Sequence, residues 1–254
     1  DVTVSSASLT VSAAEGLGRI TLQGSANVQF YPDASASAFK VESANALLIM
    51  NGGTVGTIDM TGGEVRVHFN AKVTGQVNAD GGELSVREAP VFDGSVRIGD
   101  GVKMTVVPNS TAKFNGVLEF AEEAVGELAG GTYKKLGIAA GRTLSELLKS
   151  GYVYYRTDIS EFIQGETDNL TNVKVISHVH SIRGDGTCAC GESFTASVSS
   201  GASVDWYKTL SEALAAVKTL SAGVQDAALY TVRLYQDAAE DVSINGGKFT
   251  PDLN

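Results

Sequence analysis

Proline, cysteine and tryptophan are scarce in this chain, at 4, 2 and 1 of 254 residues. Two cysteines one residue apart build no disulfide framework, so the fold must rest on packing. Long apolar runs are missing too: no stretch approaches the ~18 residues that span a bilayer as a helix, so direct membrane insertion is not expected. Positive charge is the minority sign, with 19 Lys plus Arg against 29 Asp plus Glu and a net charge of −10. Such a chain repels a phosphate backbone and an anionic lipid surface, which excludes nucleic acid as a partner. Aromatic residues are few, at 7%. Glycine is what the chain has in quantity, 29 residues, against a background that is 43% hydrophobic. That apolar share excludes wholesale disorder. Glycines set between short apolar runs imply many tight turns between strands.

The chain starts at Asp1 without a basic and apolar leader, and it stops at Thr250-Pro251-Asp252-Leu253-Asn254 within a strand-like pattern. It reads as a piece of something longer, whose targeting and anchoring signals would lie elsewhere.

An internal repeat dominates the first half. Gly56-Thr57-Ile58-Asp59-Met60-Thr61-Gly62-Gly63-Glu64-Val65 recurs as Gly75-Gln76-Val77-Asn78-Ala79-Asp80-Gly81-Gly82-Glu83-Leu84, then as Gly94-Ser95-Val96-Arg97-Ile98-Gly99-Asp100-Gly101. The step is nineteen residues, and apolar side chains alternate within each copy (58 and 60, 77 and 79, 96 and 98). A second block, Ala71-Lys72-Val73-Thr74-Gly75, recurs at Pro90-Val91-Phe92-Asp93-Gly94 and at Ala112-Lys113-Phe114-Asn115-Gly116. Its last step is twenty-two, which reads as a three-residue insertion in one turn. A period of ~19 made of short alternating strands and glycine corners predicts an all-β fold, a parallel β-helix or β-solenoid. Stacked rungs bury an inner face that no rung buries alone, and positions 58, 77 and 96 are expected in register on it. A β-sandwich of hairpins is the alternative, but hairpins seldom keep one offset through consecutive turns.

After Tyr133 the glycine period stops. Thr143-Leu144-Ser145-Glu146 carries the signature of a capping box, Leu144, Leu147 and Leu148 give an apolar face, and Gly151 supplies a stop. Thr209-Leu210-Ser211-Glu212-Ala213-Leu214 repeats that opening and predicts a second helix to about Leu220. Strand patterns follow at Tyr230–Tyr235 and Val242–Phe249, the latter with a Gly246-Gly247 corner. The reading is three segments: a solenoid module with a helical cap over 1–160, a linker over 161–203, and the small α/β start of a second solenoid module over 204–254. Each short helix would cover an open strand edge.

These motifs carry a resemblance. Trp206-Tyr207-Lys208-Thr209-Leu210-Ser211-Glu212-Ala213-Leu214, with Thr231-Val232-Arg233-Leu234 and Pro251-Asp252-Leu253-Asn254, resembles module openings in large adhesin-like cell-surface repeat proteins of Gram-positive gut bacteria. Leu128–Tyr133 and Leu144–Tyr152 are similar to their module ends. The resemblance covers about half of the chain through short, hydrophobic motifs. It implies an extracellular protein of the bacterial cell surface, in contact with neighbouring modules of its own chain and binding a host protein or a glycan. Some proteins of this kind bind immunoglobulin, which makes an antibody one expected partner. No catalytic residue comes with it.

The densest chemistry lies in His178-Val179-His180-Ser181-Ile182-Arg183-Gly184-Asp185-Gly186-Thr187-Cys188-Ala189-Cys190-Gly191. His178, His180, Cys188 and Cys190 offer two imidazoles and two thiols, the ligand set of a tetrahedral structural zinc. One-residue gaps are tighter than the usual two, so an incidental thiol pair or a strained local disulfide stays open as the other reading. The same loop contains Arg183-Gly184-Asp185, a tripeptide read by some integrins and also one that arises by chance. His68, between Val67 and Phe69, reads as an outward strand residue without a nucleophile beside it. Asp59, Glu64, Asp80, Glu83, Asp93 and Asp100 sit near corners, where acids serve glycosidase chemistry, calcium binding or simple turn formation. The sequence favours a non-enzymatic binding segment. The alternatives are a carbohydrate-active β-helix enzyme and a purely structural stalk.

Overall fold

The computed structural model describes residues 1–163, 168–178, 181–188, 190–201, 203–221, 230–236 and 249–252. The chain divides into two units, Asp1–Val179 and His180–Asn254.

The first unit is a parallel β-solenoid, and its register shows why the nineteen-residue period exists. Each coil contributes three strand segments, and each segment hydrogen-bonds in parallel to its counterpart one coil away. One inward ladder runs Ile20, Phe39, Ile58, Val77, Val96, Leu118 and Leu136. A second runs Val11, Phe30, Met50, Val67, Val86, Val106 and Leu128. A third, on the shortest segment, runs Leu17, Ala36, Val55, Val73, Phe92, Phe114 and Tyr133. Ile58, Val77 and Val96 are indeed in register and buried, as the repeat predicts. Period-two alternation sends every second side chain into this column and the rest to solvent. Removing each inward side chain from water contributes ~1.5–3 kcal/mol. The aromatic part of the third ladder stacks at the strand spacing: Phe92 on Phe114 at 4.8 Å and Phe114 on Tyr133 at 4.9 Å.

Glycines turn the corners. Gly63 and Gly82, on adjacent coils, have φ of 73° and 88°, a region closed to most side chains. The insertion is not confined to one turn, contrary to the sequence expectation. The step is nineteen at Val77–Val96, twenty at Leu84–Met104 and twenty-two at Phe92–Phe114. One extra residue therefore enters the corner at 99–102 and two enter the corner at 107–112. Corners face solvent and absorb length, whereas a residue added inside a strand would invert its inward face.

The segment 143–149 is not the expected capping helix. Leu144–Leu147 form a single 3-10 turn, with the Thr143 N–H donating to Glu146 Oε1 at 3.1 Å and both leucines buried. The last coil's edge strand, Thr132–Ile138, is covered instead by Asn169–Ser177, which pairs with it antiparallel. Tyr152–Arg156 then pairs antiparallel with Asn169–Ser177, and Glu161–Phe162 with Tyr152–Arg156. Arg142 ties this end down: its Nη1 donates to the carbonyls of Ala121, Glu122 and Ala124 at 2.8–2.9 Å. Residues 161–203, expected as a linker, thus carry strands of both units. Leu170, Val173 and Val175 are buried, and the polar residues between them, Thr171, Asn172 and Lys174, are exposed, the alternation breaking at Asn172, whose φ is 53°.

The second unit holds a four-stranded sheet. Ala196–Ser200 lies between Ser203–Tyr207 and Tyr230–Leu234, antiparallel to both, and Phe249–Asp252 joins parallel to Tyr230–Leu234. The helix expected from Thr209 is present at Leu210–Ser221. Thr209 Oγ1 accepts from the Glu212 N–H at 3.1 Å while Glu212 Oε2 accepts from the Thr209 N–H at 3.2 Å, a reciprocal capping box. Its buried residues, Ala213 and Val217, pack on Ala196, Val198 and Val232. Tyr230 pairs with Phe249 at nineteen residues, the step of the solenoid coils. The expected corner at Gly246-Gly247 and most of the strand before it lie outside the described residues.

Candidate functional site

The column inside the solenoid is closed by aliphatic and aromatic side chains, so chemistry is confined to its outer faces and corners. Of the six acids, Asp59 accepts from Asn78 Nδ2 at 2.8 Å, and Asp80 pairs with Arg97 Nη1 at 2.8 Å. Asp93 pairs with Lys72 Nζ at 3.0 Å and accepts from Asn115 Nδ2 at 2.8 Å. The Asn115 hydrogen bond and then the Lys72 ammonium hold its carboxyl below the ordinary aspartate range. Asp100 accepts from the Glu123 N–H at 2.9 Å. Glu64 and Glu83 come nearest to a carboxylate pair, because they are register partners on adjacent strands. Each has its own cation: Arg66 grips Glu64 through two nitrogens, and Lys103 lies 3.6 Å from Glu83. Arg66 is the main reason that the Glu64 carboxyl is held below its usual range. Five of these acids bridge adjacent coils, and Glu64 pairs within its own strand.

His68 is half-buried just beyond the strand Thr54–Val67. Burial pushes its pKa down, and Nε2 has no hydrogen-bond partner among the described residues. Among the described residues no hydrogen bond joins its ring to a Ser or Cys.

Of the four expected metal ligands, His178 belongs to the first unit and Cys188 and Cys190 to the second. His180 lies outside the described residues. The His178 N–H donates to the Gly151 carbonyl at 2.8 Å, and its ring lies 5.1 Å from that of Phe162. Cys188 and Cys190 are buried and not joined in a disulfide. Burial, with a smaller contribution from the neighbouring Cys188, pushes the Cys190 thiol up to about 11. Two consecutive tight turns carry the two cysteines: Cys188 closes the first by its antiparallel bridge to Ile182, and Cys190 lies in the second, closed by the Thr187–Ser193 bridge. Two thiols this close in the chain fit the soft half of a zinc site.

At the apex of the first of these turns, a hairpin closed by Ile182–Cys188, are Arg183, Gly184 and Asp185, all exposed. Arg183 N–H donates to the Thr187 carbonyl at 2.8 Å, and Gly186 N–H donates to the Arg183 carbonyl at 3.0 Å. Asp185 Oδ1 accepts from Thr187 Oγ1 at 2.6 Å and from the Thr187 N–H at 2.9 Å. Those two bonds hold its carboxyl below the ordinary range.

Sequence reasoning missed one further feature. The lengthened corner at 107–112 and the antiparallel cap strands together enclose an open cleft of about 260 Å³. Asn109, Ser110, Thr111, Tyr152, Lys174 and Ser177 supply its polar lining. Asn109 takes φ of 62°, and Ser110 Oγ donates to the Glu88 carbonyl at 3.0 Å. Lys174 is exposed and has no ion-pair partner among the described residues. The twenty-two-residue step was the available signal. The cap strands that form the other wall lie outside the period and left none.

No protein-family model matches this chain, and searches of curated proteins and of solved structures found no match. Residue geometry therefore carries the functional argument. No helix among the described residues is long and apolar enough to cross a membrane.

Proposed function

We propose that this chain is a non-enzymatic binding segment of a secreted bacterial surface protein. The solenoid is its scaffold, and the corner cleft beside Lys174 is its contact site for a glycan or a host protein, immunoglobulin included. The observation that carries the reading is the cleft itself. It is built where the coil departs from its period, and its lining combines an amide, hydroxyls, a phenol and an uncompensated ammonium. Donors and acceptors of that kind suit a sugar ring or a polar loop. The acids on the outer faces support the same reading, since each already holds an amide, a cation or a backbone N–H.

Binding of the intact chain to immobilised glycans and to purified immunoglobulin tests this. Saturable binding to one of them is expected, weakened several-fold at unchanged melting temperature by Lys174→Ala and by Asn109→Gly, which removes the amide but tolerates the positive φ. A carbohydrate-active enzyme would instead release new reducing ends or unsaturated products from polysaccharide. A structural stalk would bind neither class of ligand.

A further inference from the structure

We propose that the hairpin apex Arg183-Gly184-Asp185 is an adhesion loop for a host receptor of the integrin class. Such a receptor takes a carboxylate on a divalent cation and a guanidinium in a separate acidic pocket. The inference rests on the reading of the chain as an extracellular protein, but it uses a surface other than the corner cleft.

Presentation is the first argument. A short flexible tripeptide loses conformational entropy on binding, whereas a constrained turn has lost it already. Here the bridge Ile182–Cys188, the Arg183–Thr187 hydrogen bond and the Gly186–Arg183 hydrogen bond hold the three residues at the tip of a closed turn. Both charged side chains are exposed, and among the described residues neither has an ion-pair partner. Thr187 takes one carboxylate oxygen of Asp185 through two hydrogen bonds. That fixes the group and leaves Oδ2 for a cation, which prefers oxygen ligands.

The glycines give a second, independent argument. Gly186 is required by the fold: its φ is 80°, and a Cβ there would collide with the Phe194 carbonyl and lie 2.8 Å from Tyr235 Cβ. Gly184 is not: its φ is outside the left-handed region, and a Cβ would meet nothing within 4 Å. Folding leaves the glycine at 184 unexplained. A ligand that must fit closely between two receptor pockets explains it, because a methyl group would stand in the contact.

The test passes the intact chain over a purified Arg-Gly-Asp-reading integrin ectodomain in manganese buffer. Saturable binding is expected, removed by chelator and displaced by a soluble Arg-Gly-Asp peptide. Asp185→Glu, which keeps the charge but shifts the carboxylate by one methylene, is expected to weaken it roughly tenfold or more. Gly184→Ala is expected to do the same at an unchanged melting temperature. Absence of binding in manganese, binding that survives chelator, or full binding by Gly184→Ala overturns the proposal. Retained glycan or immunoglobulin binding in the same preparation would confine that failure to the hairpin. Loss of glycan and immunoglobulin binding alone would instead strike the corner-cleft reading.

Discussion

Phe92 and Phe114 lie face to face, their ring centroids 4.8 Å apart and their planes 1° from parallel, although twenty-two residues separate them rather than nineteen. The inward column keeps its register while the extra residues are expelled into two corners. Selection of register by the buried face outweighs uniformity of coil length.

Phe114 is stacked on both sides, by Phe92 and by Tyr133. Phe114→Ala should lower unfolding free energy by about 3–5 kcal/mol, the cost of an aromatic-sized cavity in a column with little room to collapse. Urea unfolding followed by circular dichroism checks this. A loss below about 1 kcal/mol would mean that the ladder carries little of the stability.

The corner glycines should separate by surroundings. Gly101 has φ of 70° and open space where a Cβ would stand, so Gly101→Ala should cost about 1 kcal/mol of backbone strain. Gly82 has φ of 88°, and its Cβ would collide with the Gly63 carbonyl one coil away. Gly82→Ala should therefore cost clearly more, about 3 kcal/mol, because the neighbouring coil's backbone must shift as well. Equal melting temperatures for the two variants would contradict the close approach.

Alkaline pH should unfold the first unit. Tyr133 and Tyr154 are buried, and burial pushes both phenols above the ordinary value of 10.0. Their hydroxyls donate to the carbonyls of Gly130 and Leu144 at 2.7 and 2.8 Å. Below pH 10 both states keep these protons. Above it the unfolded chain loses them while the folded chain retains them, so stability falls as pH rises, by about 1.4 kcal/mol per pH unit for each phenol. Unfolding curves should show no such slope from these groups between about pH 8 and pH 10, and this slope above about pH 10. Tyr133→Phe and Tyr154→Phe should each flatten it, at a cost of about 1 kcal/mol near neutrality.

The close thiols Cys188 and Cys190 predict bound zinc by elemental analysis and a lower melting temperature in chelator. Cys188→Ser should abolish the metal. Purified protein without zinc, unaffected by chelator, would leave the two cysteines as buried thiols only.

The solenoid was legible because periodicity and alternation were both intact. Ile58, Val77 and Val96 announced a shared inner face, and they occupy one. The helix after Thr209 was legible from its capping residues. The cap strands were not: in Asn169–Ser177 the inward residues Leu170, Val173 and Val175 are spread among Thr, Asn and Lys, and an antiparallel return has no counterpart one period away. Thr143–Leu148 misled for the opposite reason. Its capping box and leucines are real, but only one turn forms before Leu148 returns to extended geometry and bridges Leu128. The cleft was hidden because corner length shows in the sequence while the wall it meets does not.

The reversal of direction at Asn169–Ser177 makes the stack of coils finite. A parallel strand ladder is a template: its open edge accepts another strand of the same direction, which is how cross-β fibres grow. Here the edge of Thr132–Ile138 is occupied by a strand running the opposite way, whose far edge is occupied in turn by Tyr152–Arg156. A coil from another copy arriving at that place finds its hydrogen-bonding partners taken. The side of the solenoid that carries the corner cleft is thereby a growth terminator, and the protein keeps a fibre-like architecture without fibre-like assembly there.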